Sequence, residues 1–397
     1  MNNNISLILE KKQCCGCGAC INACKTKALK YSHDRYGFII PKLNNEKCIQ
    51  CGKCLIVCAA EHQDGNESLE AYAAMAKNIE DRWRASSGGI FGVISKKFIE
   101  NNGIVVGAKM DNDFTVHHEI AKDEDSLKSI LRSKYIQSDM RYIYDEIMEL
   151  LKNGKIVLFS GTPCQVSAVK NYIPMKYREN LFLIDVVCHG VPSQTFFNSY
   201  ISHLETKKGE IESYQFRAKR QVNNGMNCFF SYKVKGKDTV IRNWPEDTFN
   251  YLYMKSYIYR DSCYSCLYSN TKRCSDITLC DYWGWNNYQR GFEMGSTVSG
   301  VLINTDKGRQ LLDEIKDLLI IEEAGLENIR KHNGCLVRPS EYSDKREQVF
   351  EAWETKGFAY IDEYYQKHNK KMIFKSKIMR LLPVNFMNTL VKIRLKF

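Results

Sequence analysis

Short apolar segments alternate with amphipathic segments through the middle of the chain. The apolar segments 104–109, 156–160 and 181–187 have the length of buried strands. Ile90–Glu100 and residues 142–152 instead carry apolar side chains at every third or fourth position, which is the spacing of an amphipathic helix. Strands that alternate with helices predict an α/β domain with a mainly parallel sheet covered on both faces. Ligands of such a sheet collect in the turns beyond the carboxyl ends of its strands.

The pattern changes on both sides of this region. Residues 71–77 are predicted to form a helical connector. After residue 210 the alternating segments become shorter, which predicts an antiparallel β insertion. The elements predicted there are strands over 213–217, 228–234 and 239–244, a helix over 249–259, a last strand over 299–304 and a helix over 307–320.

Eight cysteines in the first 58 residues form two copies of one spacing, C-x2-C-x2-C-x3-C. This is the spacing of a two-cluster ferredoxin, in which three cysteines of each run bind one [4Fe-4S] cluster and the fourth binds the other. Zinc knuckles use four cysteines in all, and disulfide frameworks belong to small secreted domains, so both fit poorly. The rule assigns Cys14, Cys17, Cys20 and Cys58 to the first cluster, and Cys48, Cys51, Cys54 and Cys24 to the second.

These runs predict an α+β ferredoxin-type dicluster domain over residues 1–66 that transfers single electrons. Lys25 and Ala59 stand where proline commonly follows the fourth cysteine, but neither removes a ligand. Cys15 is a spare cysteine, which we expect to be a free thiol.

Composition and charge limit the classes of function. The chain has 397 residues and 17 cysteines, no run of 18 apolar residues and no export signal, so we expect a cytoplasmic protein. The net charge is +11, but residues 367–397 hold nine Lys or Arg and no acid, which leaves +2 for the rest. A nucleic-acid-binding protein would spread its basic residues over a structured face, so we expect no nucleic-acid partner.

The C-terminal region, residues 341–397, is predicted to be helical with a basic amphipathic tail. Large apolar side chains alternate with the basic residues of 367–397. Such a tail either makes a peripheral contact with anionic lipid or packs on the body of the protein with its lysines in water.

Three turns carry small and polar residues where the sheet would gather ligands. Ser86-Ser87-Gly88-Gly89 precedes a predicted helix, so its backbone N–H groups predict an anion cradle, although serine and glycine also serve as simple helix caps. The turns at 161–164 and 188–193 each follow a predicted strand. They contain Cys164 and Cys188, and a further pair, Cys263-x2-Cys266, comes later in the chain.

An ordered series of motifs resembles the coenzyme F420 hydrogenase/dehydrogenase beta-subunit family. The resemblance covers roughly residues 83–340, which we take as one domain behind the dicluster domain. The motifs are Ser87-Gly88-Gly89, residues 132–138 (RSKYIQS), residues 160–165 (SGTPCQ), residues 188–193 (CHGVPS), and Cys263-x2-Cys266 followed by residues 276–278 (DIT) and 281–284 (DYWG).

The resemblance implies a flavoprotein with FAD and a third [4Fe-4S] cluster. For that cluster we choose Cys164, Cys188, Cys263 and Cys266, with Cys274 as the rival fourth ligand. We take Cys280 as a bystander, and Cys228 and Cys335 as core residues. The implied flavin-site residues are Ser86, Ser87, Gly88, Gly89, Ser133, Lys134, Tyr135, Gln137, Ser138, Gly161, Thr162 and Pro163.

These features predict an oxidoreductase that passes electrons between a hydride carrier, F420 or another small molecule, and a redox partner protein. His189 is a weak candidate for proton transfer, and a histidine that fixes its turn is the commoner case. The alternative is an electron-transfer or partner-docking subunit without flavin, with a link to surface polysaccharide biosynthesis as one option.

Overall fold

The structure, a computed structural model, describes residues 4–219, 229–293 and 296–381. Cys228 and the end of the basic tail, from residue 382, lie outside the described residues. No helix within the described ranges is both long and apolar enough to cross a membrane.

The N-terminal elements form a small unit around the two cysteine runs. Strands β1 and β2 pair as an antiparallel hairpin. Helices α2 and α3 begin directly after Gly18 and Gly52, whose φ angles of +77° and +72° let the cysteine loops turn sharply. The elements are α1 (Ser6–Glu10), α2 (Ala19–Asn22), β1 (Leu29–His33), β2 (Ile39–Leu43) and α3 (Lys53–Ile56).

The remaining strands form two sheets. Strands β8 to β10 make an antiparallel three-stranded sheet, and the others make an eight-stranded sheet in the order β13-β3-β12-β11-β7-β6-β4-β5. The strands are β3 (Glu70–Ala76), β4 (Ile104–Met110), β5 (Val116–Ala121), β6 (Val157–Gly161), β7 (Leu181–Val186), β8 (Ile211–Ala218), β9 (Phe229–Val234), β10 (Thr239–Asn243), β11 (Ile277–Asp281), β12 (Ser299–Ile303) and β13 (Leu319–Glu323).

The four central strands, β11, β7, β6 and β4, are parallel to one another. Antiparallel strands extend the sheet at both edges. The parallel sheet that the sequence predicts is therefore confirmed for its central part, and the antiparallel insertion is confirmed as the separate three-stranded sheet.

Helices cover the large sheet and continue into the C-terminal region. Helix α8 begins immediately after β6, with Pro163 in its first turn, where a missing N–H costs nothing. The helices are α4 (Ile79–Trp83), α5 (Ile90–Glu100), α6 (Glu124–Ile130), α7 (Ile143–Lys152), α8 (Pro163–Tyr172), α9 (Gln194–Lys208), α10 (Thr248–Met254), α11 (Asp306–Asp313), α12 (Leu326–Lys331), α13 (Lys345–His368) and α14 (Lys370–Leu381).

The described part of the C-terminal region packs on the body of the protein. Phe350 of α13 joins a buried aromatic core with Phe196 and Phe249. Helix α14 buries Ile373 and places Arg380 3.0 Å from Glu246. Residues 370–381 therefore pack on the body of the protein, which is the second of the two arrangements predicted for the tail.

One predicted element is wrong in type, two predicted helices are present but shorter, and the predicted last strand is followed by another. Residues 71–76 belong to an inner strand, β3, because pairing with β12 and β13 outweighs the helix propensity of alanine. The helix predicted over 307–320 ends at Asp313, and β13, not β12, is the last strand. The helix predicted over 249–259 ends at Met254, because Ser256 has a φ of +59°. Strand β5 has no predicted counterpart.

A buried ion pair fixes the end of β7. Asp185 Oδ2 lies 2.9 Å from Arg273 Nη2, and the two side chains are 0% and 1% exposed. Arg273 also donates to the carbonyl oxygen of Tyr268 at 2.8 Å and to Thr278 Oγ1 at 3.2 Å. The pair ties the strand that leads to Cys188 to the loop that follows Cys266.

We expect Asp185→Ala to lower the free energy of unfolding by about 3–5 kcal/mol, because it leaves a buried guanidinium without its counter-charge. Urea denaturation of the reconstituted protein measures the change. The matched control is Asp125→Ala, which breaks the exposed pair Lys128–Asp125 (2.7 Å) and should cost less than about 1 kcal/mol. Equal losses in the two variants would contradict the role of the buried pair.

Candidate functional site

One cavity of about 510 Å³ lies at the carboxyl ends of the parallel strands. Gly161 at the end of β6, Val187 after β7 and Asp281 at the end of β11 line it. The three-stranded sheet covers it with Phe216, and the N-terminal unit contributes Cys15. Three parts of the chain therefore enclose the same space.

The turn before α5 forms one wall of this cavity. Ser86, Ser87 and Gly89 line it, and Gly89 caps the helix with a φ of +94°. The N-terminus of an 11-residue helix thus faces the cavity, which favours a bound anion.

Gly88 supports this turn from behind. Its N–H donates to Ser299 Oγ at 2.9 Å, and a Cβ at this position would come within 2.6 Å of the Ala74 carbonyl oxygen. Gly88 does not line the cavity, whereas Ser86, Ser87 and Gly89 do. Its missing side chain lets the turn approach β3 and β12 closely.

Four cationic side chains surround the cradle. Arg217 lies between the Asp281 carboxylate, at 2.7 Å, and the carbonyl oxygen of Ser86, at 3.0 Å. Lys219 donates to the carbonyl oxygen of Ser87 at 2.7 Å. Arg132 and Lys134 line the cavity as well.

Burial makes the two lysines unusually acidic. The Lys134 ammonium donates to the carbonyl oxygens of Ser129 and Leu131, at 3.2 and 2.6 Å. Desolvation, helped by Arg132, lowers the pKa of Lys134 to about 7. Desolvation, helped by Arg217, also lowers the pKa of Lys219 to about 7. Lys134 lines the cavity, so an anion there would stabilise its charged form.

A neutral histidine and two tyrosines complete the polar wall. His118 Nε2 donates to the carbonyl oxygen of Ser160 at 3.1 Å, so Nδ1 accepts from the Ser138 hydroxyl at 2.8 Å. Burial lowers the pKa of His118 to about 4, which keeps the ring neutral. Tyr135 stacks on Tyr253 with ring centroids 4.5 Å apart.

Four cysteines gather at the other end of the same cavity. Burial raises the pKa of the Cys188 thiol, and the thiols of Cys263, Cys164 and Cys266 raise it further. Burial likewise raises the pKa of Cys263 to about 12, again with contributions from Cys266 and Cys164. Neighbouring buried thiolates repel one another, so this set would ionise around a positively charged metal centre.

Cys274 lies near this set but does not line the cavity. Its thiol donates to the Pro163 carbonyl oxygen at 3.5 Å, and burial, followed by the charge of Asp185, raises its pKa to about 12. Cys280 contacts the carbonyl oxygen of Gly300 at 3.7 Å, and Cys335 is buried. These positions favour Cys164, Cys188, Cys263 and Cys266 as the ligand set, which remains a prediction.

The N-terminal cysteines lie near one another, and their division between two clusters stays a prediction. Burial raises the pKa of Cys20, and the thiols of Cys14, Cys58 and Cys54 raise it further. Cys14 and Cys58 are its predicted partners in the first cluster, and Cys54 belongs to the predicted second set. The thiol of Cys48 raises the pKa of Cys54 after burial, and these two belong to the predicted second set.

Cys15, the spare thiol, is adjacent to Cys164. The Cys164 thiol is the largest influence on the pKa of Cys15 and lowers it, but Cys17 and burial leave that pKa well above its usual value. Cys15 thus joins the N-terminal unit to the cysteine set of the large domain.

Hydrogen bonds hold the two parts together at this point. Gln137 Nε2 donates to the carbonyl oxygens of Cys15 and Gly16 at 3.1 and 3.3 Å. Arg260 donates to Gln137 Oε1 at 2.7 Å and to the Cys14 carbonyl oxygen at 3.1 Å. Gln137, predicted as a flavin-site residue, therefore also positions the first cysteine loop.

The cavity brings together most residues that the sequence predicts for the site. The predicted flavin-site residues that line it are Ser86, Ser87, Gly89, Ser133, Lys134, Tyr135, Gln137, Ser138, Gly161, Thr162 and Pro163. His189 lines it too, and burial lowers its pKa.

Sequence reasoning missed His118, Arg217, Lys219, Tyr253 and Arg260. Arg217 and Lys219 lie two positions apart at the end of β8, so they share one face of the strand. Two basic residues at this spacing are the feature of the sequence that could have indicated a positively charged strand face.

No three His, Cys, Asp or Glu side chains in the described ranges surround one point as ligands of a single metal ion would. A [4Fe-4S] cluster has another requirement, because each of its four cysteines binds a different iron atom.

The dicluster unit defines the class of protein to which the chain belongs, an iron–sulfur protein. Residues 13–61 match the 4Fe-4S dicluster domain. Residues 154–328 match the family described as the C terminus of the coenzyme F420 hydrogenase/dehydrogenase beta subunit. Both resemblances that the sequence suggested are thereby confirmed.

Two further proteins are similar to this chain. An uncharacterized protein of Methanocaldococcus jannaschii is 25% identical over 283 residues, which cover 59% of this chain and 76% of that protein. A chain of the F420-reducing [NiFe] hydrogenase complex from Methanosarcina barkeri matches with a TM-score of 0.47 and 16% identity, over 75% of this chain and 96% of that chain.

We expect Cys188→Ala to lower the iron content of the anaerobically reconstituted protein by about four atoms per chain, because one [4Fe-4S] cluster loses a ligand. Iron and sulfide analysis with electron paramagnetic resonance checks this. The matched control, Cys274→Ala, removes a buried thiol nearby and should leave the iron content unchanged. If only Cys274→Ala loses iron, Cys274 and not Cys188 is a ligand of this cluster.

Proposed function

We propose that this chain is an iron–sulfur flavoprotein oxidoreductase. It would pass electrons between a hydride-carrying small molecule at FAD and [4Fe-4S] clusters, and onward to a redox partner protein. The supporting observation is that one cavity contains both the anion cradle and the cysteine set Cys164, Cys188, Cys263 and Cys266. A volume of about 510 Å³ lies within the range of about 300–1,000 Å³ that is usual for cofactor and ligand sites.

The cradle fits the phosphates of a dinucleotide. Backbone N–H groups at the start of α5 would bind phosphate oxygens, and Lys134, which lines the cavity, would supply positive charge. Without an anion this ammonium group is destabilised by burial, as its lowered pKa indicates. An acidic group in the cavity is therefore the ligand class that the charges favour.

Other side chains would orient the ligand and exclude water. Tyr135 is held by Arg217, which donates to its hydroxyl at 3.2 Å, and by its stack on Tyr253. The neutral His118 fixes Ser138, whose carbonyl oxygen also accepts from Gln165 at 3.1 Å. These contacts give the cavity a rigid polar wall.

Bound FAD would supply a group that exchanges two electrons with a hydride carrier and single electrons with a cluster. A flavin-free subunit that only transfers electrons or docks a partner is the second candidate. That alternative gives no role to the cation-lined half of the cavity.

Anaerobic reconstitution with iron, sulfide and FAD tests the proposal. We expect about twelve iron atoms per chain, from three four-iron clusters, together with bound flavin whose absorbance bleaches on reduction. Reduction by F420H2, NADH and NADPH, tried separately, would identify the hydride carrier. Retention of iron without flavin binding would favour the flavin-free candidate.

We expect the affinity for FAD to weaken as the pH rises above about 7. Lys134, which lines the cavity, has its pKa lowered to about 7 without ligand. Bound phosphate would raise that value, so binding takes up a proton above that pH and loses up to about tenfold for each pH unit. Calorimetry in buffers of different ionisation enthalpy measures the proton uptake.

The variant Lys134→Met should flatten this pH dependence and weaken binding at pH 6. The matched control, Lys128→Met, removes an exposed lysine of α6 and should leave both unchanged. An unaltered pH profile in Lys134→Met would contradict the phosphate-binding role of Lys134.

A further inference from the structure

The first cysteine run faces the interior of the protein. Tyr144 donates to the Cys17 carbonyl oxygen at 2.8 Å, and Tyr268 donates to the carbonyl oxygen of Ala59, next to Cys58, at 2.5 Å. With the bonds from Gln137 and Arg260, four side chains of the large domain hold the backbone around the first-cluster ligands. The first cluster would therefore be the one nearer to the third.

The second cysteine run faces outward. Cys51 is exposed, and the apolar side chains Ile49 and Ile56 are 70% and 61% exposed. Exposed apolar side chains beside a metal-binding residue are unusual on a surface that meets only water, and they mark a place of protein contact.

The positive charge of this unit lies beside the second cysteine run. Residues 1–66 contain nine Lys or Arg and five Asp or Glu, a formal net charge of +4. Each [4Fe-4S] cluster with four thiolates carries about −2, so the loaded unit as a whole is close to neutral. Lys47 and Lys53 are next in sequence to Cys48 and Cys54 and place positive charge beside the exposed ligands.

We propose that the surface formed by Lys47, Ile49, Cys51, Lys53 and Ile56 binds an acidic one-electron carrier protein. The proposal rests on the function proposed above, because it requires loaded clusters. One electron would pass from the reduced carrier to the second cluster, or in the reverse direction, without any change in covalent bonds. Basic side chains around an apolar centre match the acidic surface of such a carrier and speed its encounter with the protein.

The test uses the reconstituted full chain and a small acidic two-[4Fe-4S] ferredoxin as the probe. Calorimetry gives the dissociation constant, and stopped-flow absorbance gives the rate at which the reduced ferredoxin reduces the chain. We expect Lys47→Glu/Lys53→Glu to weaken binding about tenfold at low ionic strength. High salt should reduce the difference. Ile49→Ser/Ile56→Ser should weaken binding at both ionic strengths, because it removes apolar contact area.

The matched control is Lys331→Glu, an equal change of charge per residue at an exposed position of α12. It should bind the ferredoxin as the unchanged protein does. Equal weakening in this control, or undiminished binding by both double variants, would overturn the proposal. Dithionite should reduce every variant equally, which shows that the clusters are intact. If dithionite reduces none of them, the function proposed above fails as well.

Discussion

The candidate site depends on the ion pair between Asp185 and Arg273. Both side chains are excluded from water, so each requires the other as its counter-charge. Asp185 precedes the turn that carries Cys188, and Arg273 follows the loop that carries Cys263 and Cys266. The pair thus fixes the relative position of two chain segments that are distant in sequence. The pair thereby helps to hold Cys188 near Cys263 and Cys266.

A single side chain also joins distant segments where the N-terminal unit meets the large domain. Gln137 contacts the first cysteine loop with its amide nitrogen and Arg260 with its amide oxygen. One side chain therefore links the cavity wall, the loop before Cys263 and the first cluster-binding loop. A displacement of any one of these parts would shift the other two, because close-packed interiors transmit small shifts.

The sequence predicts the parts of the site that depend on local spacing. Cysteine runs, the turn at Ser86 to Gly89 and the parallel strands are local patterns, and the structure brings that turn and the ends of the parallel strands to one cavity. The sequence pattern does not predict that β3 is a strand or that Arg217 lines the cavity. The alanine-rich segment 71–77 becomes a strand only through pairing with β12 and β13, and Arg217 reaches the cavity only because a separate sheet folds over it. These features arise from contacts between segments far apart in the chain.

Gly16 shows how closely the two domains are joined. Its φ is +68°, and a Cβ there would come within 2.4 Å of Gln137 Nε2 and 2.5 Å of Arg260 Nη2. Cys15 and Ala59 of the same unit line the cavity. The dicluster unit is therefore a wall of the cavity as well as an iron–sulfur domain. A shortened protein without residues 1–66 would have this cavity open to solvent on that side, so water could enter it freely.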